Sequence, residues 1–192
     1  MASKKTYNVI WLDSVDSTNS EAKRKIEELG NISVIAAKEQ TSGRGQRGNI
    51  WLSEPGMNLT FSVVLKYDQM QVNVKAQDQF HISESTAFSV IDLLAQYGIN
   101  ARIKLPNDIY VGDRKICGIL IEHSLCGEYI AHSIVGVGIN VNQLIFDPSL
   151  PNPTSMRLCL SEKPEQLNLA KLLEQFMDIF RKHLQKIISG EF

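Results

Sequence analysis

Residues 109–141 read IYVGDRKICGILIEHSLCGEYIAHSIVGVGINV, and this stretch decides the fold class. It holds three runs rich in β-branched and aliphatic residues, at Ile109–Val111, Ile116–His123 and Tyr129–Val141. The turn segments Gly112-Asp113 and Cys126-Gly127-Glu128 separate these runs. Because so few residues lie between the runs, no helical crossover fits, and we expect three antiparallel strands.

The chain before residue 109 alternates strand patterns with helix patterns, which predicts a mixed α and β fold. Strands are expected at Tyr7–Leu12, Ser33–Ala37 and Asn58–Leu65. Helical spacing of apolar residues predicts a first helix over Ser17–Leu29 and a second helix that ends before Gly98. The buried face of the second helix is expected to contain Phe80, Ala87, Val90, Ile91 and Leu94.

Local signals place the ends of the remaining elements. Thr18 and Glu21 predict a capping box at the start of the first helix, and Gly30 predicts its end. The Pro, Asn and Ser content of Asp147–Pro164 predicts a surface loop. A terminal amphipathic helix is expected from the spacing of Leu169, Leu173, Phe176, Met177, Phe180, Leu184 and Ile187.

Composition limits the possible classes of protein. The 192 residues are 43% hydrophobic, enough for one core, and we expect a single domain over residues 1–192. A net charge of −1 excludes recruitment of nucleic acid by a global positive field, and no helix-turn-helix pattern precedes the first strand, so we expect no DNA contact. Three cysteines without metal-ligand spacing, and no run that would span a membrane, predict a soluble cytoplasmic protein.

The segment Gly43–Trp51 places three glycines, two arginines and an indole within nine residues. Glycines let backbone N–H groups approach an acceptor closely, and arginine offers paired donors suited to a carboxylate or a phosphate. The segment therefore predicts an anion-binding loop or, as is more common for such a sequence taken alone, a solvated surface loop.

Two lysine-containing stretches carry further polar groups. Lys104–Asp108 presents an ammonium, an amide and a carboxylate at a strand entrance, and it could hold a nucleotide with its metal or form a plain turn. Lys115 opens a strongly apolar strand. Its ammonium could solvate the tip of a hairpin or point inward at an activated acyl phosphate.

Glycines inside the predicted strands form another pattern. Gly118 interrupts one strand, and Gly136 and Gly138 precede Asn140 in the next. A glycine there sacrifices packing surface, which indicates that something approaches the backbone closely. A ligand is one candidate, and a β-bulge is the alternative for the second pair. The Asn140 amide could reach a ribose or a phosphate.

Taken in order, these motifs resemble the catalytic domain of biotin protein ligases, over about residues 7 to 145. The matching segments are Asp16–Asn19, Glu39–Gly48 with Trp51, Lys104–Asp108, Lys115–Gly118 and Gly136–Asn140. The resemblance implies an α+β fold with a mixed, largely antiparallel sheet backed by helices, related to class II aminoacyl-tRNA synthetases. It also implies a ligase that condenses biotin with ATP, aided by Mg²⁺, to biotinyl-5′-AMP. Biotin would then pass to a lysine of a biotin carboxyl carrier protein.

The same resemblance implies residue roles. The biotin contacts would be Ser17, Thr18, Asn19, Gln40, Arg44, Gly45, Gln46, Lys115 and Gly118. The ATP contacts would be Arg44, Arg47, Trp51, Lys104, Asn107, Lys115 and Asn140. Lys115 and Arg44 would be catalytic, since a cation between the biotin carboxylate and the α-phosphate offsets their repulsion. Asp108 would be the carboxylate associated with Mg²⁺.

The sequence departs from the family pattern at two positions. Leu105 stands where the family commonly has Trp, and Gln46 stands where some members have Arg. Because Gln46 removes a cation from the loop, we expect weaker retention of the adenylate. Many members carry an SH3-like domain after the terminal helix, and we expect none in a sequence that ends at Phe192. A homodimer formed through a sheet edge is possible.

Two other functions compete with a biotin ligase. Lipoate-protein ligases share the lysine-centred adenylation chemistry, although the Gly43–Gly48 loop with Ser17–Asn19 favours biotin. A non-catalytic biotin-binding module is the second alternative, and the presence of Lys115 and Asn107 argues against it.

Overall fold

We describe the fold from a computed structural model, in which residues 7–162 and 165–189 are described, the last three by their backbone alone. Seven strands form one sheet in the order β1-β2-β3-β7-β6-β5-β4. The strands are β1 (Asn8–Val15), β2 (Ile32–Gln40), β3 (Leu59–Lys66), β4 (Arg102–Lys104), β5 (Asp108–Val111), β6 (Arg114–Cys126) and β7 (Tyr129–Ile139). The helices are α1 (Thr18–Arg24), α2 (Gln79–Ala95), α3 (Met156–Cys159) and α4 (Leu169–Ser189).

The sheet confirms the predicted fold class. Strands β5, β6 and β7 are antiparallel neighbours, as the short turns between them require. Strands β1 and β2 pair in parallel, and β2, β3 and β7 continue the sheet with antiparallel pairs. The sequence pattern missed β4, whose three residues contain a single apolar side chain, Ile103, between two cations.

Alternate residues of the central strands serve two different layers. Val63 and Val135 belong to the large core with α2 and α4, where Phe61 meets Phe176 edge to face with centroids 4.9 Å apart. Val64 belongs to a small second cluster with Ile35 and Ile134, which also includes Ala22 of α1. Since successive side chains of a strand point to opposite faces, α2 and α4 cover one face and α1 covers part of the other.

The first helix differs from its prediction. It ends at Arg24, so Gly30 does not terminate it, and Ser17 rather than Thr18 is its N-cap residue. The predicted capping box is wrong, because no side chain caps the helix and the Thr18 hydroxyl bonds to Gln40 instead. The Thr18 hydroxyl, which the local sequence pattern assigned to helix capping, is instead bonded to a residue that is distant in sequence.

The second helix, α2, brings one correction and one confirmation. Phe80 is 55% exposed, and the buried face of α2 begins with Ile82 instead. Gly98 follows α2 with a φ of +71°, as a helix-ending glycine should.

The segment predicted as a surface loop over Asp147–Pro164 is partly internal. Thr154 and Ser155 are fully buried, and α3 lies within the segment. Pro164 lies outside the described residues. The terminal helix is confirmed as α4, although the side chain of Ile187 is also outside the described part.

Candidate functional site

A cavity of about 230 Å³ opens on the α1 side of the sheet, where β6 and β7 carry their glycines. Most of the residues predicted for the site line it. These are Ser17, Thr18, Asn19, Gln40, Arg44, Gly45, Gln46, Arg47, Trp51, Asn107, Asp108, Lys115 and Gly118. Lys104 and Asn140 do not line this cavity, and their assignment to the nucleotide stays a prediction.

One wall of the cavity is a chain of buried polar side chains. Gln40 Oε1 accepts hydrogen bonds from the backbone N–H of Thr18 at 2.8 Å and from its hydroxyl at 3.1 Å. Ser62 Oγ lies 2.8 Å from Thr18 Oγ1 and 2.6 Å from Asn19 Oδ1. Because α1 begins directly over β3, its first two residues are held by strand side chains, and their polar groups are fixed in direction.

Glu122, which sequence analysis missed, supports this wall from β6 through a bond to Asn19, although it is not among the residues that line the cavity. Its Oε2 accepts a bond from Asn19 Nδ2 at 3.0 Å, and its two oxygens pair with the Arg44 guanidinium at 3.1 and 3.0 Å. Hydrogen bonds from Asn19 and Arg44 outweigh burial and lower the pKa of the Glu122 carboxyl. The available signal was its period-two spacing from Gly118 along β6, which places both residues on one face.

The glycine-arginine segment closes the opposite side as a small hairpin. Arg44 and Ile50 form an isolated bridge, and Gly45 N–H donates to Asn49 O at 2.7 Å. Trp51 N–H donates to Gly43 O at 2.9 Å. The segment is therefore a hydrogen-bonded hairpin at the cavity, and its role as an anion-binding loop stays a prediction.

The glycines of β6 and β7 make room for the protein's own side chains. A Cβ on Gly118 would lie 2.9 Å from the Trp51 ring, and one on Gly138 would lie 2.5 Å from it. A Cβ on Gly136 would overlap Asn19 Oδ1. The close approach predicted from these glycines is confirmed, but Trp51 and Asn19 make it. The bulge interpretation is wrong, since the register of β6 and β7 is regular along Gly136–Gly138.

Lys115 points into the cavity and does not solvate a hairpin tip. Its Nζ lies 2.7 Å from Asp108 Oδ1 and 5.6 Å from the centroid of the Trp51 ring. Both members of the ion pair are largely shielded from solvent, with side-chain exposures of 29% and 22%. An ammonium held in such a place interacts strongly with an entering anion, because little water screens it.

The buried part of the predicted surface loop holds the backbone of Lys115. Lys115 N–H donates to Asn152 O, and Lys115 O accepts from Thr154 N–H, both at 2.8 Å. Asn140 Nδ2 donates in turn to Thr154 O at 2.9 Å. This contact explains why the segment is internal, and in this structure it also gives Asn140 a structural role.

The remaining predicted groups lie beside Asp108, since Asn107 precedes it in sequence and Lys104 pairs with it across β4 and β5. Asn107 Nδ2 donates to Ile119 O at 2.8 Å, which fixes the amide at the cavity rim. Lys104 Nζ sits 4.5 Å from the centroid of the Tyr110 ring, on the exposed end of the sheet. In the described part of the chain, no group of three or more His, Cys, Asp or Glu residues could form a protein-built metal centre.

A magnesium ion at this cavity would therefore have one protein carboxylate as a ligand. Asp108 is the acidic residue among those that line the cavity, and Asn107 offers an amide oxygen beside it. Mg²⁺ commonly binds through one or two carboxylates together with phosphate oxygens and water. This donor set fits a metal that arrives with a nucleotide.

Among the described residues, no helix is long and apolar enough to cross a bilayer.

Comparison with known proteins places the sequence in a family. The model of the biotin/lipoate A/B protein ligase family matches residues 11–140. The bifunctional ligase/repressor BirA of Salmonella typhimurium is 33% identical over 135 residues, which cover 70% of this chain and 41% of BirA. The biotin–[acetyl-CoA-carboxylase] ligase of Paracoccus denitrificans is 32% identical, over 68% of this chain and 53% of that protein.

A solved structure shows the same fold. The biotin protein ligase from Aquifex aeolicus in complex with biotin and ATP superposes with a TM-score of 0.78 at 27% sequence identity. The superposition covers 95% of this chain and 72% of the Aquifex chain. Our chain thus spans about half, or less, of the two sequence relatives above, but nearly all of it takes part in the structural match. The chain belongs to the biotin/lipoate A/B protein ligase family.

Proposed function

We propose that this chain is a biotin–protein ligase, which activates biotin with ATP and transfers it to a lysine of a biotin carboxyl carrier protein. The observation that carries the proposal is the position of the Lys115 ammonium, in one cavity with the buried Thr18–Asn19 wall and the arginine loop. The family match and the biotin- and ATP-bound Aquifex relative support it.

The buried wall suits recognition of the biotin ring system. A ureido group offers two N–H donors and one carbonyl acceptor, and the wall presents hydroxyl and amide groups of Ser17, Thr18, Asn19 and Gln40. Because Thr18 and Asn19 are buried and held in direction by bonds to Gln40 and Ser62, an analogue without matching groups would lose its hydrogen bonds to them, each worth about 0.5–1.5 kcal/mol. Such a site selects by polar pairing.

In the first step, a carboxylate oxygen of biotin attacks the α-phosphorus of ATP, the bond to the bridging oxygen breaks, and pyrophosphate leaves. Both reactants are anions, so their approach is opposed by repulsion. Lys115 and Arg44 supply positive charge where the carboxylate and the α-phosphate meet, and this charge is worth more in a shielded site than in water. Mg²⁺ bound with the nucleotide near Asp108 would neutralise phosphate charge.

In the second step, the neutral amine of the acceptor lysine attacks the acyl carbon of biotinyl-5′-AMP. The bond to the phosphate oxygen breaks, AMP leaves, and the amine loses a proton as the amide forms. The Gly43–Trp51 loop, whose residues Arg44–Arg47 line the cavity, would shield the reactive anhydride from water until the acceptor arrives. The acceptor protein, the absence of DNA contact, the cytoplasmic location and a possible homodimer stay predictions.

The test is ATP–pyrophosphate exchange with the purified protein. We expect exchange that depends on biotin, followed by biotin transfer to a carrier domain when that domain is added. Exchange that depends on lipoate or octanoate would favour the lipoate-ligase alternative. Biotin binding without exchange would leave a binding module.

A further inference from the structure

Glu122 joins the two sides of the cavity, although nothing in the proposed chemistry requires a carboxylate at that point. Its Oε2 accepts from Asn19 Nδ2, at the buried end of the polar chain. The same carboxylate forms a two-pronged pair with Arg44, the charged side chain of the loop. A continuous path of polar contacts therefore runs from Gln40 through Thr18, Ser62, Asn19 and Glu122 to Arg44.

The position of Glu122 makes its contact with Arg44 an anchor for the loop. The carboxylate stands on β6, a central strand with paired neighbours, whereas Arg44 stands on a segment whose backbone bonds are largely internal to it. Planar two-pronged pairing fixes the direction of the guanidinium as well as its distance. Arg44 is 45% exposed and Glu122 is 30% exposed, so solvent screens the pair only in part.

We propose that Glu122 is a positioning residue that holds the arginine loop against the buried wall through Arg44 and, by sharing one carboxylate with Asn19, couples occupation of the biotin-ring end to the placement of the loop. This inference rests on the proposed function for its kinetic consequence alone. The anchoring itself is a property of the chain without any substrate.

The anchor has a specific consequence for substrate binding. Arg44 is already aimed at a carboxylate before an acid substrate arrives, so the cost of orienting its long side chain has been met during folding. A substrate carboxylate then uses the N–H donors of the same guanidinium that Glu122 does not occupy. Loss of Glu122 should weaken acid binding more than it weakens nucleotide binding.

Glu122→Gln isolates the anchor. The glutamine Oε1 can still accept from Asn19, but its amide group cannot form an ion pair with Arg44. Glu122→Ala removes both contacts, and Glu128→Gln makes the same charge change at an exposed position in the β6–β7 turn. All three are compared with the wild-type chain.

The first measurement is limited trypsin digestion without biotin or ATP, read by mass spectrometry. Cleavage after Arg44 and Arg47 is normalised to cleavage after Lys171 in α4, which needs wider unfolding. We expect the normalised loop cleavage to rise about two- to fivefold in Glu122→Gln, as for loss of a partly exposed ion pair, and to stay unchanged in Glu128→Gln. A global loss of stability would raise both cleavages together.

The second measurement is the kinetics of pyrophosphate exchange. We expect Glu122→Gln to raise KM for biotin about two- to fivefold, with KM for ATP and kcat within twofold of wild type. Glu122→Ala should raise KM for biotin further, because Asn19 also loses its acceptor. Glu122→Asp, which keeps the charge, should recover part of the loss.

Unchanged normalised loop cleavage in Glu122→Gln would overturn the proposal, whether or not the protein is a ligase. An equal rise of KM for biotin and for ATP would overturn the coupling to the acid. A wild-type chain without exchange activity would count against the proposed function and would leave the digestion result to decide the anchor.

Discussion

The two sides of the cavity are built on different physical terms. In the buried wall, Thr18, Asn19 and Ser62 are at most 3% exposed, and each has a polar partner on another helix or strand. In the loop, Arg44 and residues 47–50 are exposed, and the bonds that shape it run mainly within Gly43–Trp51. The wall is a rigid surface, and the loop is an exposed hairpin that is attached to the wall by few contacts.

This difference assigns the two sides to different tasks. Selection of a substrate by hydrogen bonds needs donors and acceptors that cannot turn away, which buried, mutually bonded side chains provide. Entry and exit of substrates need a segment that opens at small cost, which an exposed hairpin provides. Lys115 lies between the wall and the loop. Substitutions in the wall, at Lys115 and in the loop should therefore affect different properties of the protein.

The largest expected effect is at the junction of the two sides. Lys115→Met removes the ammonium and keeps most of the side-chain volume, so charge stabilisation at the α-phosphate is lost. We expect biotin-dependent pyrophosphate exchange to fall about 10²–10³-fold. Lys182→Met, at an exposed position of α4, is the matched control and should exchange at the wild-type rate.

A folded Lys115→Met protein with exchange within threefold of wild type would remove Lys115 from the chemistry. Circular dichroism would establish that the variant is folded. Loss of the cation leaves the Asp108 carboxylate without its partner, so some loss of stability is expected alongside the kinetic effect.

The next largest effect is expected when one glycine on each side of the cavity is replaced by alanine, Gly136 at the buried wall and Gly48 in the loop. Gly136→Ala places a methyl group on the Asn19 amide in the buried wall, and we expect a loss of about 1–3 kcal/mol in unfolding free energy together with weaker biotin binding. Gly48→Ala meets no atom within 4 Å but sits at a φ of +81°, so it should cost about 1 kcal/mol through local strain alone.

Chemical denaturation and biotin titration would measure both variants. If Gly136→Ala bound biotin normally and were no less stable than Gly48→Ala, the distinction between a rigid buried wall and an exposed, weakly attached hairpin would be wrong.

A smaller effect is expected from the unusual loop residue. Gln46 lines the cavity without a charge, and Gln46→Arg adds a cation that can hold the adenylate phosphate. We expect bystander proteins mixed with the enzyme, biotin and ATP to be biotinylated up to about fivefold less by the variant, the scale of one partly exposed charge pair. Equal labelling by the two proteins would contradict this hypothesis.

The smallest effect is the pH dependence of the link between the two sides. The lowered pKa of Glu122 means that its stabilising contribution is complete above the unfolded value of about 4.3 and is lost as pH falls through the folded value. We expect wild type to exceed Glu122→Gln in unfolding free energy by at most about 1 kcal/mol at pH 7. Urea titrations at several pH values should show this gap closing below about pH 4.

Much of this molecule was readable from the residue order. The short turns after Val111 and Cys126 leave no room for a crossover, so the antiparallel half of the sheet follows from chain length alone. Glycines inside apolar strands indicated that something approaches the backbone closely, whereas the residue order around Lys115 left its ammonium either at a hairpin tip or pointing inward. Each of these inferences depends on neighbours in sequence.

Two of the wrong predictions, at Thr18 and Thr154, share a physical cause. Thr18 looked like a helix cap until Gln40 and Ser62, far away in sequence, offered its hydroxyl a partner. Thr154 looked like loop until the backbone of Lys115 paired with it. A buried polar group forms hydrogen bonds with the partners that the fold brings near it, and for both threonines those partners are distant in sequence.

The sequence by itself determined the strand order within the meander, the amphipathic terminal helix and the kinds of charged group available to an anion site, because these depend on spacing and residue type. Tertiary structure alone decided what occupies the space above Gly118, Gly136 and Gly138, and that Glu122 joins Asn19 to Arg44. Those contacts connect strands, helix and loop across many residues, and a hydrogen bond or a packed ring requires atoms to meet in space, which no local pattern specifies.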